Sequence, residues 1–171
     1  MKVRITVLLL SFACLSSVAA LCQSNDNDGC SNATLNGDYA FRISGQIMPP
    51  TGPTREGVAM THFDGNGSLT QRDFVVSNGV PLAGPGQTDF AGGETGSYKV
   101  DPDCTGTAEI DFPAPPGATS GPVITLKFVL ANHGRTIHTI VSKLVGPGGP
   151  MPAAIHSDAE KMGVDRNRSK D

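Results

Sequence analysis

The sequence predicts an all-β protein: a single up-and-down antiparallel β-barrel of about eight strands, with a β-sandwich as the alternative. Three observations carry this expectation. Apolar and polar residues alternate with period two along most of the chain. Clusters of Gly, Pro, Asn and Asp interrupt the alternation at short intervals. No segment sustains a helical period. The 171 residues amount to about one domain. With 21 glycines, 13 prolines and no Trp, the chain is neither a coiled coil nor a helical bundle, and its glycines lack the period of three that collagen needs. A hydrophobic content of 38% at small net charge argues against disorder.

Residues 1–20 read as a secretory signal peptide. Lys2 and Arg4 open it, a short apolar stretch follows, and Ser16, Ser17, Val18, Ala19 and Ala20 supply the small residues of a cleavage site. The apolar stretch is shorter than the ~20 residues of a spanning helix. Cleavage is expected after Ala20, with cleavage after Cys22 as the alternative. Leu21 before Cys22 is wrong for lipid attachment, which needs a small residue there. The protein is therefore expected to be secreted or periplasmic, with no membrane association once the signal is removed. Losing Lys2 and Arg4 from the 13 basic residues leaves 11 against 16 acidic ones, a net charge near −5. An acidic chain without a basic cluster argues against nucleic acid as a partner.

Residues 21–29 are expected to form a flexible polar linker, residues 30–162 the barrel and residues 163–171 a disordered polar tail. Within the barrel, 35–47 puts Tyr39, Phe41 and Ile43 on one face. A Pro-rich loop at 48–53 precedes a strand at 57–63. Asp64-Gly65-Asn66-Gly67 is a tight turn, since Gly and Asn tolerate positive φ, and 68–77 is its partner strand. After a Gly-rich loop at 78–93 comes a strand at 95–100. The turn around Pro102 suits type I geometry and leads into 107–112, where Ala108, Ile110 and Phe112 alternate with Thr107, Glu109 and Asp111. A loop at 113–122 precedes 123–131, which sets Ile124, Leu126, Phe128 and Leu130 on one side. Asn132-His133-Gly134-Arg135 turns into 136–144. Beyond a Gly/Pro loop at 145–152, the segment 153–162 reads as either a last strand or a short helix.

Export brings an oxidising compartment, where disulfides persist. Cys14 leaves with the signal, and Cys30 and Cys104 are the natural pair because both sit in polar, turn-like surroundings. Closing that separation is worth roughly 4–5 kcal/mol in the loop-entropy model, often less in practice. Cys22 stays odd if cleavage follows Ala20, and pairing with Cys30 or with a second molecule is its alternative fate. There is no CxxC and no Cys/His spacing of a zinc site, so no metal and no cofactor are expected. The acidic group Asp101, Asp103 and Glu109 lacks the rest of a calcium ligand set.

Three motifs carry a resemblance: CSNATLNGDY from Cys30 to Tyr39, FDGNG from Phe63 to Gly67, and GSYKVDPDCTG from Gly96 to Gly106. Together they resemble a family of exported bacterial proteins of unknown function, over a stretch from Cys30 to about Val141. The resemblance implies a secreted calycin-like or allene-oxide-cyclase-like barrel and transfers no catalytic residues. The Gly-x-Tyr strand openings also resemble avidin, although a chain without Trp argues against avidin-type biotin binding.

No nucleophile elbow, HExxH or phosphate-binding loop is present, so chemistry has to be sought in strand parity. Val58, Met60 and His62 share a face. If that face is the inner one, His62 lies inside the barrel, where an imidazole titrating near neutrality could act as a base or contact a ligand. A hydrogen-bonded or solvated histidine is the plainer reading. His138 falls on the face opposite Ile137, hence outside. Tyr39 and Tyr98 point inward, either to orient a ligand or to fill the core with their hydroxyls satisfied. The expected function is binding of a small, largely apolar molecule in the interior, with Tyr39, Met60, His62, Tyr98 and Phe128 as lining. Two alternatives stand beside it. One is a cyclase or isomerase in which His62 moves a proton. The other is a cavity-free extracellular module working through its outer face, where Phe74 and Val76 form a suggestive apolar pair. The sequence does not decide between enzyme and binder, nor does it give the oligomeric state.

Overall fold

A computed structural model describes residues 29–163. The signal peptide, Cys22, the linker up to residue 28 and the tail from residue 164 lie outside the described residues. Ten strands run in chain order: β1 (Asn36–Ile47), β2 (Thr54–Asp64), β3 (Ser68–Ser77), β4 (Val80–Pro81), β5 (Ala91–Val100), β6 (Thr105–Asp111), β7 (Val123–Ala131), β8 (Thr136–Gly146), β9 (Gly149–Pro150) and β10 (Ala153–Lys161). Eight of them close a ring. Each pairs antiparallel with its neighbour in sequence, and β10 completes the circle by pairing with β8 on one side and β1 on the other. The two-residue strands β4 and β9 stand outside the ring, on β3 and β8. Closure removes the unpaired strand edges that an open sheet or sandwich leaves, and the expected up-and-down barrel is the fold.

The segment read as strand or helix is strand. Ile155, Ser157 and Ala159 face inward while His156, Asp158 and Glu160 face out, a period-two pattern that a helix could not keep on one face. Two strands begin earlier than the sequence suggests. Thr54–Glu56 already pairs with β1. The start of β5 pairs with Gln71, Arg72 and Asp73 across a bulge between Gln71 and Arg72. Gly93, at φ +91°, lies in β5 opposite this irregularity and supplies a backbone conformation that other residues adopt only under strain.

Up-and-down connectivity sorts the connections to two unlike ends. Short turns at 65–67, 101–104 and 132–135 lie at one end, which the N-terminal segment caps. A 3-10 turn (Asn32–Thr34) leads into Leu35, which is fully buried. Asn32 accepts the Val100 backbone N–H through its side-chain oxygen (2.8 Å). Cys30 donates its N–H to the Pro102 carbonyl (3.1 Å) and is bonded through sulfur to Cys104, with 4.9 Å between Cα atoms. Below the cap the rings of Tyr39, Phe63 and Tyr98 meet edge to face, with centroids 5.3 and 5.0 Å apart. The longer Gly/Pro-rich connections, 48–53, 82–90, 112–122 and 147–152, gather at the opposite end, where Ile47, Leu144 and Ile155 form a second, smaller cluster. Between the aromatic plug and this open end the barrel is not filled.

Candidate functional site

The unfilled space is a cavity of about 280 Å³. Small inward residues create it. Cross-strand partners in an antiparallel pair share a face, so inward Tyr39, Phe41 and Ile43 on β1 bring Thr61, Ala59 and Gly57 inward on β2. Large side chains thus face small ones across the pair. Ala108 on β6 and Ala159 on β10 are also small and buried. The wall is mostly aliphatic and aromatic, with Ile43, Val75, Ile110, Leu126, Phe128 and Val141 among its residues. Eight strands enclose about this much room, enough for one small ligand.

The register corrects the parity assumed for β2. Met60 lies opposite Ala40 and His62 opposite Asp38, on the outer surface. The His62 side chain is 52% exposed, with Nδ1 2.8 Å from Asp38 Oδ1. It does not reach the interior, and neither it nor Met60 lines the cavity. The more apolar face of β2 points outward, because its inner face is built from the small residues Gly57, Ala59 and Thr61. Outside, Val58 lies opposite Phe74, and Phe74 meets Phe90 edge to face. His138 is also outside, 2.6 Å from Asp158.

Tyr39 and Tyr98 point inward as expected, but into the plug rather than the cavity. The Tyr39 hydroxyl donates to the Gly134 carbonyl (2.6 Å). That of Tyr98 is shared between the carbonyls of Leu35 (2.9 Å) and Asn32 (3.1 Å). Burial raises both phenol pKa values, so they are neutral donors holding the cap. Of the five residues expected to line a ligand, Phe128 is the one that borders this cavity.

The polar part of the interior was not anticipated. Thr61 donates to Gln71 Oε1 (2.8 Å), and Thr139 and Ser157 share a hydrogen bond (2.6 Å). Next to Gln71, two carboxyl groups are buried: Asp73 on β3, 8% exposed, and Glu94 on β5, 2% exposed. Asp73 borders the cavity. Burial, and then the charge of Glu94, push its pKa up to about 6. Burial also raises Glu94, whose Oε2 has no hydrogen-bond partner among the described residues. Arg55 borders the cavity as well, but its guanidinium turns to the Thr54 carbonyl (3.0 Å) and the Ser77 hydroxyl. Among the described residues neither buried carboxyl has an ion-pair partner. Parity offered a signal for both. If Phe74 and Val76 face out, Asp73 faces in; if Tyr98 faces in, so do Gly96 and Glu94.

Fold and site together define a closed β-barrel with an apolar cavity, one buried carboxyl, Asp73, in its wall and a second, Glu94, buried outside the lining. Comparison with models of known protein families and with curated proteins finds no match.

Proposed function

We propose that this protein is exported and holds a small, largely apolar molecule inside its barrel. The observation that supports this most is the cavity itself. Protein interiors are normally packed to the density of organic crystals, and an apolar void of about 280 Å³ forfeits contacts that a ligand would restore. The Cys30–Cys104 disulfide supports the export reading, since such bonds persist in oxidising compartments. The three motifs noted above support membership of the family of exported bacterial proteins.

Native mass spectrometry of the unreduced protein, purified from an oxidising compartment, tests the proposal. A reproducible small-molecule adduct that disappears on denaturation is the expected result. A bare mass, with no uptake of added long-chain alcohols, would shift the reading to an interaction module working through its outer face.

A second reading, an enzyme of the cyclase or isomerase kind, has a specific observation in its favour. A carboxyl group with a pKa about 6 at the cavity wall is suited to move a proton near neutral pH. That role falls to Asp73 instead of the exposed His62. Turnover abolished in Asp73→Asn with ligand uptake retained would favour it over simple binding.

A further inference from the structure

The buried acidic pair says more about the occupant than the cavity volume does. Carboxyl groups are almost never buried without a partner. Asp73 is more than nine-tenths buried and borders the cavity. Behind it Glu94 is almost completely buried, with Oε2 lacking a hydrogen-bond partner among the described residues. Their strands are adjacent, with Gln71 opposite Glu94 and Asp73 two residues along. Among the described residues, the one Lys or Arg in the cavity wall, Arg55, is engaged by Thr54 and Ser77. The other titratable residue at the wall, His156, belongs to the outward-facing set of β10. Thr61 already donates its hydroxyl to Gln71. The site therefore has unused acceptors, excess negative charge and an apolar surround, which is what a cation on an apolar body complements.

We infer that the cavity takes an amphipathic amine, its ammonium group bound by Asp73, with the charge of Glu94 behind it adding to the attraction, and its hydrocarbon part against Ile110, Leu126 and Phe128. This rests on the proposal that the cavity is a ligand site and names the class of ligand. Burial, and then the charge of Glu94, favour the protonated form of Asp73. A bound ammonium would reverse that by favouring both carboxylates.

Isothermal titration calorimetry with n-octylamine, n-octanol and n-octanoate, on the disulfide-intact protein at about pH 7.5, tests the inference. The amine is charged at that pH and the three chains are matched in length. The amine is expected to bind at least about tenfold tighter than the alcohol, a margin of about 1.4 kcal/mol. Asp73→Asn is expected to bring the amine down to the alcohol's affinity, and Glu94→Gln to weaken amine binding several-fold. Equal binding of amine and alcohol would overturn the amine assignment while leaving the cavity proposal standing. So would preference for octanoate, which would make Arg55 the anchor, or an amine preference that survives both substitutions. If none of the three binds, the cavity proposal fails and this inference fails with it.

Discussion

Asp73 concentrates the tension between this fold and its site. An aspartate whose folded pKa lies near 6, against an ordinary 3.8, is preferred by the folded state in its protonated form. The fold binds that proton more tightly than the unfolded chain does. Stability is therefore highest below about pH 4 as far as this group is concerned, and it falls as pH rises toward and through 6. Asp73→Asn removes the ionisation and should stabilise the ligand-free protein at neutral pH, on the order of 2 kcal/mol, with a much smaller effect near pH 4. Urea denaturation of parent and variant at the two pH values checks this; an equal difference at both would mean that Asp73 is effectively solvated. The sequence held enough to place this residue. The outward pair Phe74 and Val76 implies an inward Asp73 and Val75, but a carboxylate between apolar neighbours reads by default as a solvated position. Burial of a charge depends on what the strands on either side contribute, and one strand's alternation carries no such information.

At the scale of the strands, alternation was a good guide wherever the inner face is large and apolar, as in β1 and β7. It misled in β2, where Gly57, Ala59 and Thr61 face inward and Val58 and Met60 outward. Hydrophobicity alone picks the wrong face there, and the cross-strand register with β1 picks the right one. β10 was ambiguous for a related reason: its inner positions, Ile155, Ser157 and Ala159, are mixed in size and polarity. Its assignment follows from pairing with β1 and β8, contacts far apart in the chain. The same matching of large to small governs β6 and β7. A Cβ added at Gly106 would lie 2.2 Å from Phe128 Cζ and 2.5 Å from the Lys99 carbonyl oxygen. Turning the Phe128 ring relieves the first clash but not the second, which is backbone. Gly106→Ala should therefore cost ~1–3 kcal/mol, read as a lower denaturation midpoint. An unchanged midpoint would show that β5 and β6 can shift apart at this level.

For the whole molecule, the two ends of the barrel divide the labour. The capped end carries the disulfide, the buried tyrosine hydroxyls and the Tyr39–Phe63–Tyr98 plug. The opposite end has the Gly/Pro-rich connections and leads to the cavity. The division explains why two of the residues expected to touch a ligand, Tyr39 and Tyr98, serve the cap instead: inward parity gives a side chain's direction but not its height along the barrel. The central claim is that a small apolar molecule binds inside. Methyl-labelled NMR during titration with n-octanol tests it most directly, because the fold separates inner from outer methyl groups residue by residue. Shifts are expected at Ile43, Ile110, Leu126 and Val141, which line the cavity, with Val58, Val129 and Ile140, exposed on the outside, left unchanged. Shifts confined to Val58, Val129 and Ile140, with the interior set unmoved at saturating alcohol, would contradict the claim.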